Sequence, residues 1–422
     1  MDIYYGNKQG EKLPHCVVAM VYPPQSPFYN EKFCRHQAYR LFDMRRLSNE
    51  EILALMDMPE SMITTLVSLP GMSRAAINRL AGNSIVVACL RKIFANIWLS
   101  RDVQFCPTLK DRLRMVTLCS GYDSQLIAIR QMLTEYNYVN GTNIHEDLLA
   151  WSEFDPAATC DIEAQIAVLA HNALFPEYYK RNLGDITKID WKAWRNFLYR
   201  GDRDIDLLTY STPCQSISMA SRRPCTVKGI EKNSGTVSSI LWNVEDCIAA
   251  LCPKFLLQEN VRSLADKQNK EHFDAWRNTV EGLGYNNYYA ILDAADYGIP
   301  QHRERLFMLS VRKDLGLPSY RFPDPVDLEV SLFDVLRKDV DISFFIDTNR
   351  IKDYLENRNV GTEAVRYVIT DHYLTREEIE RIQHDGTFKP DYDKNLLVVN
   401  SNINNCCDET KSDIQQLSLF DF

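Results

Sequence analysis

Three short segments place reactive side chains in settings that favour chemistry. Thr212-Pro213-Cys214-Gln215 sets a thiol beside a proline that fixes the local backbone, just after the apolar run Ile205 to Thr209. The thiolate is the attacking form of cysteine, so a strand-end thiol on a rigid turn is a candidate nucleophile. Gln258-Glu259-Asn260-Val261 follows the apolar run Phe255 to Leu257, which puts a carboxyl group at a neighbouring strand end. In a desolvated pocket its pKa rises and a proton becomes available for a ring nitrogen. Gln301-His302-Arg303-Glu304-Arg305 follows Tyr297-Gly298-Ile299-Pro300; on an extended chain Gln301, Arg303 and Arg305 share one face, a donor array suited to a carbonyl oxygen or a phosphate. Each segment has a plain reading: an inert buried cysteine, a helix-capping glutamate, an exposed ion-pair strand. The three together favour a nucleophile and an acid acting on one substrate.

A second set suits a cofactor. Leu118-Cys119-Ser120-Gly121-Tyr122-Asp123-Ser124 stands where a strand turns into a helix, the place for backbone amides to approach a ligand. Glu153, about thirty residues on, suits a ribose diol, and Asp185 in Gly184-Asp185-Ile186-Thr187 suits an exocyclic amine. Each carboxylate by itself also fits a loop.

The elements that must hold these residues follow from periodicity. From Met115 onward, apolar strands alternate with polar helical stretches: Met115 to Leu118, Ala150 to Ser152, Ile205 to Thr209, Phe255 to Leu257, Tyr288 to Leu292 and Arg305 to Leu309. This pattern predicts an α/β fold with a doubly wound, mostly parallel sheet, whose ligands sit at the carboxyl ends of the strands. Upstream, Ser48-Asn49-Glu50-Glu51 reads as a capping box starting a short helix that ends near Pro59. Ser73 to Leu99 reads as helical runs interrupted by Gly82-Asn83-Ser84, which is expected to open the second run. The alternation fades from about Pro318, and the polar stretch after Asn400 reads as a flexible tail.

Composition bounds the class. A chain of 422 residues with 45% hydrophobic content can bury one large core plus a smaller domain. The twelve cysteines are scattered, with no CxxC pair and no Cys/His cluster at zinc spacing, so reduced thiols are expected and no metal site. The start Met1-Asp2-Ile3-Tyr4-Tyr5 lacks a basic region before an apolar one, and no uninterrupted apolar run has the length of a membrane span; a cytoplasmic protein is the expectation. The net charge of −9 argues mildly against a nucleic-acid partner, yet Arg222, Arg223, Lys228 and Lys232 gather in one loop. That loop is either a basic strip on an acidic body or a solvated surface segment.

Taken in order, the Pro-Cys-Gln, Glu-Asn-Val and Gln-x-Arg-x-Arg segments resemble three signature motifs of the cytosine-C5 DNA methyltransferases. Two further blocks, which come last in that family, stand first here: Arg45-Arg46-Leu47-Ser48-x-x-Glu51 resembles the ninth motif and Gly82-Asn83-Ser84-Ile85-Val86-Val87 the tenth. The gene therefore reads as circularly permuted. The resemblance covers roughly residues 45 to 325 and implies a Rossmann-like S-adenosylmethionine-dependent methyltransferase sheet with a smaller target-recognition domain. It divides the chain into a first recognition part (1–44), the permuted helices (45–105), the catalytic domain (106–317), a second recognition part (318–400) and the tail (401–422). The two recognition parts would meet in space.

The resemblance also implies roles. Cys214 would attack C6 of a cytosine flipped out of double-stranded DNA, Glu259 would engage N3, and Arg303 and Arg305 would bind the base carbonyl or position the nucleophile. S-adenosylmethionine would be held by Cys119, Ser120, Gly121, Glu153, Phe154, Asp185, Ile186 and Pro213, with Asn83 and Ser84 at its methionine end. One departure stands out: the family carries Gly-x-Gly-Gly where this chain has Gly121-Tyr122-Asp123-Ser124.

Gln416-Leu417-Ser418-Leu419-Phe420 resembles the short peptide by which bacterial replication proteins bind the sliding clamp; an apolar end docked on its own domain is the alternative. The reading that unites these features is a sequence-specific, monomeric DNA methyltransferase of a bacterial or phage restriction-modification system, cytoplasmic and nucleoid-associated. An RNA cytosine-C5 methyltransferase, an inactive DNA-binding relative and an unrelated thiol enzyme are the alternatives. The last of these calls for a partner near Cys214, and Cys225 is the nearby candidate.

Overall fold

The computed structural model describes residues 46–100, 107–154, 165–198, 204–214, 216–217, 230–330, 332–337 and 340, with the strand segments 17–21, 366–370 and 397–400. Gln215, Arg222, Arg223, Cys225, Lys228, the tail peptide and most of the two expected recognition parts lie outside the described residues.

Two compact units emerge. One comprises Met1–Glu51 with Leu336–Phe422, the other Ile52–Val335. In the first, β1 (Val17–Val21) pairs antiparallel with β8 (Arg366–Thr370), which pairs antiparallel with β9 (Leu397–Asn400). Segments far apart in the sequence thus share one three-stranded sheet. The capping box forms as the sequence requires: Glu51 N donates to Ser48 Oγ at 3.2 Å, and Ser48 N donates to Glu51 Oε2 at 2.7 Å. It starts helix α1 (Asn49–Ala54), which stops short of Pro59 as expected.

The larger unit is built on a six-stranded sheet in the order β3-β2-β4-β5-β7-β6. Its strands are β2 (Arg112–Leu118), β3 (His145–Ser152), β4 (Leu207–Tyr210), β5 (Phe255–Val261), β6 (Tyr285–Asp293) and β7 (Glu304–Arg312). The pairs β2–β3, β2–β4 and β4–β5 are parallel, while β7 runs antiparallel to both β5 and β6. The sheet is mostly parallel, as the alternation predicts, with one strand inverted. That inversion explains how a motif preceding its strand reaches the ligand edge: the start of β7 lies against the end of β5, with Arg305 opposite Val261.

Helices cover both faces, for the reason that alternate residues of a buried strand point opposite ways. On one face Leu256 of β5 joins Val244 and Ile248 of α8 (Val244–Leu251) and Phe273 and Trp276 of α9 (Lys270–Gly282) in one buried cluster. Gln258, on that same face, accepts a hydrogen bond from Trp276 Nε1 at 3.0 Å. On the other face Phe255 meets Trp98 of α4 (Val87–Trp98) edge-on at 5.6 Å. Glu259 has the parity of Phe255 and therefore belongs to the α4 side.

Arg74 to Trp98 has the length and hydropathy of a membrane span, but it folds as α3 (Arg74–Gly82) and α4 and is mostly buried in the body. Glu60–Val67 forms the intervening helix α2. The expectation that Gly82-Asn83-Ser84 opens a helix is corrected: Asn83 is the C-cap of α3, its N–H donating to Arg79 O at 3.1 Å, and α4 begins only at Val87. The helix ends without a left-handed residue, Asn83 taking φ −88° and ψ −1°.

Candidate active site

Cys214, Glu259 and Arg305 converge at the carboxyl edge of the parallel strands. Cys214 follows β4 after the buried Thr212, and its carbonyl accepts from Ile217 N at 2.9 Å. Asn260, at the end of β5, donates through Nδ2 to Thr212 O at 3.1 Å, tying the nucleophile turn to the neighbouring strand. Ser263 Oγ adds a second tie to Ile217 O at 2.7 Å. The turn is therefore pinned on both sides of Cys214.

Glu259 is only 8% exposed. Burial pushes its carboxyl pKa up, against the opposing pull of Arg305 and Arg303. Arg305 Nε stands 3.3 Å from Glu259 Oε1. The Cys214 thiol is also pushed up, first by burial and then by the Glu259 charge, with Arg305 and Arg303 working the other way. The resting state these shifts favour is a protonated thiol beside a carboxyl that readily holds a proton.

Arg303 is placed differently from Arg305. Strand β7 begins only at Glu304, so Gln301 and Arg303 stand in the turn before it, and the single donor face expected from alternation is not formed. The Arg303 guanidinium donates through Nη2 to Ala81 O at 3.3 Å, Gly82 O at 2.7 Å and Ser84 O at 2.6 Å. Its backbone N–H donates to Asp293 Oδ1 at 2.7 Å. Its charge still reaches Glu259 and Cys214.

The residues expected around a cofactor line the ends of β2 and β3. Ser120 N donates to Ser152 O at 3.1 Å, and Gly121 N donates to Glu153 Oε2 at 2.7 Å. Cys119 and Gly121 take positive φ values of 51° and 59°, which turns the chain sharply off the strand. The Ser120 hydroxyl is buried without a hydrogen-bond partner, an arrangement that calls for an explanation such as a bound ligand. Against the cost of partial burial, the Asp185 carboxyl is held below its usual range by Thr187, whose N and Oγ1 donate to it at 3.0 and 2.7 Å, and by Lys188. Ile186 beside it is buried, and Phe154 lies under Lys188, whose Nζ is 5.7 Å from the ring centre. Ser84 Oγ lies 2.6 Å from Ser124 Oγ, which brings the Asn83-Ser84 turn to the first residue of α5 (Ser124–Asn140). Pro213 stands between Thr212 and Cys214 on the opposite side of β2 from Glu153.

The departure in the glycine-rich turn has a structural answer. Asp123 takes φ 67°, a left-handed conformation that Asp tolerates better than most side chains. Its Oδ1 accepts from Leu126 N at 3.0 Å as the N-cap of α5, and its Oδ2 accepts from Thr117 Oγ1 at 2.7 Å. His171, stacked on Trp151 at 3.6 Å, brings Nε2 to 3.5 Å from the same Oδ2. A residue that can adopt the left-handed region and cap a helix thus replaces glycine.

Several supports are missed by sequence reasoning. Asn182 Oδ1 accepts from Gly184 N at 2.8 Å and from Glu153 N at 3.3 Å, joining the segments that carry Glu153 and Asp185. Its one signal is an Asn two residues before a glycine, the spacing of an Asx-turn. Asn260 stands in the Glu-Asn-Val segment, but its partner Thr212 lies 48 positions away and is not signalled, and Ser263 gives no signal. Of the basic loop, Lys232 is described: it pairs with Glu245 at 2.5 Å and covers Trp242, which ties it to its own domain.

The chain is 38% identical over 173 residues to the type II methyltransferase M2.ScrFI of Lactococcus lactis subsp. cremoris, which covers 41% of this chain and 44% of that protein. It is 38% identical over 149 residues to the orphan methyltransferase M.SssI of Spiroplasma monobiae (32% and 38% of the two chains) and 30% identical over 175 residues to the type II methyltransferase M.HhaI of Haemophilus parahaemolyticus (40% and 49%). The chain spans less than half the length of these curated relatives. Among solved structures, the Entamoeba histolytica methyltransferase EhMeth aligns at 16% identity and a TM-score of 0.35, over 57% of this chain and 65% of that one. The family model described as C-5 cytosine-specific DNA methylase matches residues 149–418. Cys214, Glu259, Arg303 and Arg305 all fall inside that match, which extends over more than half of the sequence, and by it the chain belongs to the C-5 cytosine-specific DNA methylase family.

Proposed function

We propose that the protein is a DNA (cytosine-5)-methyltransferase that acts on a flipped cytosine in double-stranded DNA and takes its methyl group from S-adenosylmethionine. The observation that carries this reading is the meeting of Cys214, Glu259 and Arg305 at one strand edge, with Glu259 buried and biased toward its protonated form.

The cofactor fits the residues present. The turn at Cys119, Ser120 and Gly121 offers an orphaned buried hydroxyl, and Glu153 and Asp185 place carboxylates suited to a ribose diol and an amine. Phe154, Ile186 and Pro213 would add apolar walls, with Asn83 and Ser84 at the methionine end. When bound, S-adenosylmethionine supplies an electrophilic methyl group.

The protein's own groups supply the rest. Cys214 gives its proton to a solvent base and its sulfur bonds to C6 of the cytosine, while the C5–C6 electron pair moves onto C5. Glu259 donates to N3 and offsets the charge that develops on the ring. Arg305 holds the Glu259 carboxyl in place and lowers the cost of forming the thiolate nearby. Once C5 carries the methyl group, a solvent base takes the C5 proton, the C5–H pair reforms the C5–C6 double bond, the C6–sulfur pair returns to Cys214 as thiolate, and N3 returns its proton to Glu259.

The order of the motifs supports a circular permutation, with α3 and α4 packed in the catalytic unit ahead of β2 in sequence. Pairing of β1 with β8 supports a recognition region shared between the two ends of the chain. We place the enzyme in a bacterial or phage cytoplasm, as a monomer on nucleoid DNA within a modification system, with Gln416 to Phe420 as a sliding-clamp peptide. Deleting that peptide should leave methylation of short duplexes unchanged and remove clamp binding.

The decisive experiment is incubation with tritiated S-adenosylmethionine and, separately, duplex DNA and RNA, followed by bisulfite sequencing. Label at C5 of cytosine within a fixed DNA sequence is expected, and Cys214→Ser should abolish it while cofactor binding stays near normal. Label on RNA alone, or none with folded protein, would overturn the reading.

A further inference from the structure

We propose that Arg303 is a positioning residue for the cofactor end of the site: by gathering the carbonyls of Ala81, Gly82 and Ser84 it fixes the turn that presents Asn83 and Ser84. The inference rests on the methyltransferase reading above, which puts that turn at the methionine end of S-adenosylmethionine. It separates two arginines that motif reasoning treats as a pair acting on the base.

The physical need is clear from the end of α3. The last carbonyls of a helix have no partner within it, and the helix dipole makes that end negative. Asn83 and Ser84 turn away from the axis, with Ser84 N donating to Ala81 O at 3.2 Å. A guanidinium donating to three carbonyls of this turn satisfies them and places its charge at the favourable pole. The donor comes from a residue 219 to 222 positions away.

The other side of the clamp is equally fixed. Asp293 Oδ1 holds the Arg303 backbone N–H at 2.7 Å, and Arg303 O accepts from Ala294 N at 3.3 Å. The turn it grips is anchored at its far side by the 2.6 Å contact of the Ser84 and Ser124 hydroxyls, at the start of the helix that follows Gly121. Arg303 therefore spans from the strand that carries Arg305 to the loop that faces the cofactor turn. Arg305, and not Arg303, makes the ion pair with Glu259. Burial, followed by the charge of Arg305, works against the Arg303 cation and brings its pKa down to about 9, so the carbonyl clamp also keeps a destabilised charge in place.

The test uses the full-length protein with Arg303→Met, Arg303→Lys and Arg305→Met. S-adenosylmethionine affinity is measured by calorimetry without DNA, and KM for cofactor, KM for DNA and kcat are measured separately. Arg303→Met is expected to weaken cofactor binding at least tenfold with KM for DNA unchanged. Arg303→Lys, which keeps one donor at the same place, should recover part of the loss. Arg305→Met should lower kcat while cofactor affinity stays within twofold. A folded Arg303→Met protein with wild-type cofactor affinity overturns the proposal; if that variant does not fold, wild-type affinity in Arg303→Lys overturns it. Wild-type protein that binds no S-adenosylmethionine would instead overturn the methyltransferase reading on which the proposal rests.

Discussion

Glu259 and Arg305 occupy diagonal positions across the antiparallel pair of β5 and β7: Glu259 faces Phe307, Arg305 faces Val261, and the carboxyl and guanidinium meet at 3.3 Å. Cross-strand diagonals on one face are within reach of long side chains, so the register itself brings the two charges together. Both groups also act on Cys214, with opposite signs.

Alkylation of Cys214 should report those signs. Glu259 helps raise the thiol pKa, so Glu259→Gln should lower it, expose more thiolate at about pH 8 and speed modification by iodoacetamide roughly 3- to 10-fold. Arg305→Met removes an opposing charge and should slow it. Peptide mass spectrometry distinguishes Cys214 from the exposed Cys252. Equal rates in all three proteins would remove the electrostatic coupling.

Stability should depend on Glu259 ionisation. Its folded pKa is raised by burial, so folding favours the neutral acid relative to the unfolded chain; this contribution to wild-type stability is present at low pH and declines as pH rises through the folded pKa. Glu259→Gln cannot titrate. The melting temperature of the variant relative to wild type should therefore increase as pH rises above the ordinary carboxylate range of about 4.3, and a constant difference would contradict the assigned burial cost.

Asn260→Ala leaves the Thr212 carbonyl without its side-chain donor and frees the nucleophile turn. The expected cost is about 1–3 kcal/mol in chemical denaturation. A displaced nucleophile should also reduce kcat by about 10- to 100-fold, while calorimetry with S-adenosylmethionine shows little change, since the cofactor residues lie elsewhere.

Asp123 combines a left-handed backbone with a helix cap. Asp123→Ala loses both and should cost about 2–4 kcal/mol. Asp123→Asn keeps both functions and should cost about 1 kcal/mol or less. Asp123→Gly, which restores the residue type of the related motif and relieves the backbone, should fall between them. Denaturant melts of the three variants test the order; an alanine variant as stable as the asparagine one would show that the backbone conformation is not strained.

The sequence by itself singled out candidate site residues and most of the elements that carry them. Cys214, Glu259 and Arg305 could be named because short motifs and apolar strands are encoded locally, and the alternation of strands and the periodicity of helices survive in one dimension. The same locality let Ser48 and Glu51 declare a helix start. Tertiary structure alone decided that β7 enters the sheet between β5 and β6, antiparallel to both, because the order of strands in a sheet leaves no mark on composition. It also decided that Asn83 closes a helix, that Asn260 holds Thr212, and that Arg303 turns to three backbone carbonyls while Arg305 turns to Glu259. Each of those outcomes depends on which buried polar group lacks a partner once the chain is compact, and in a chain of 422 residues that partner is found only in three dimensions.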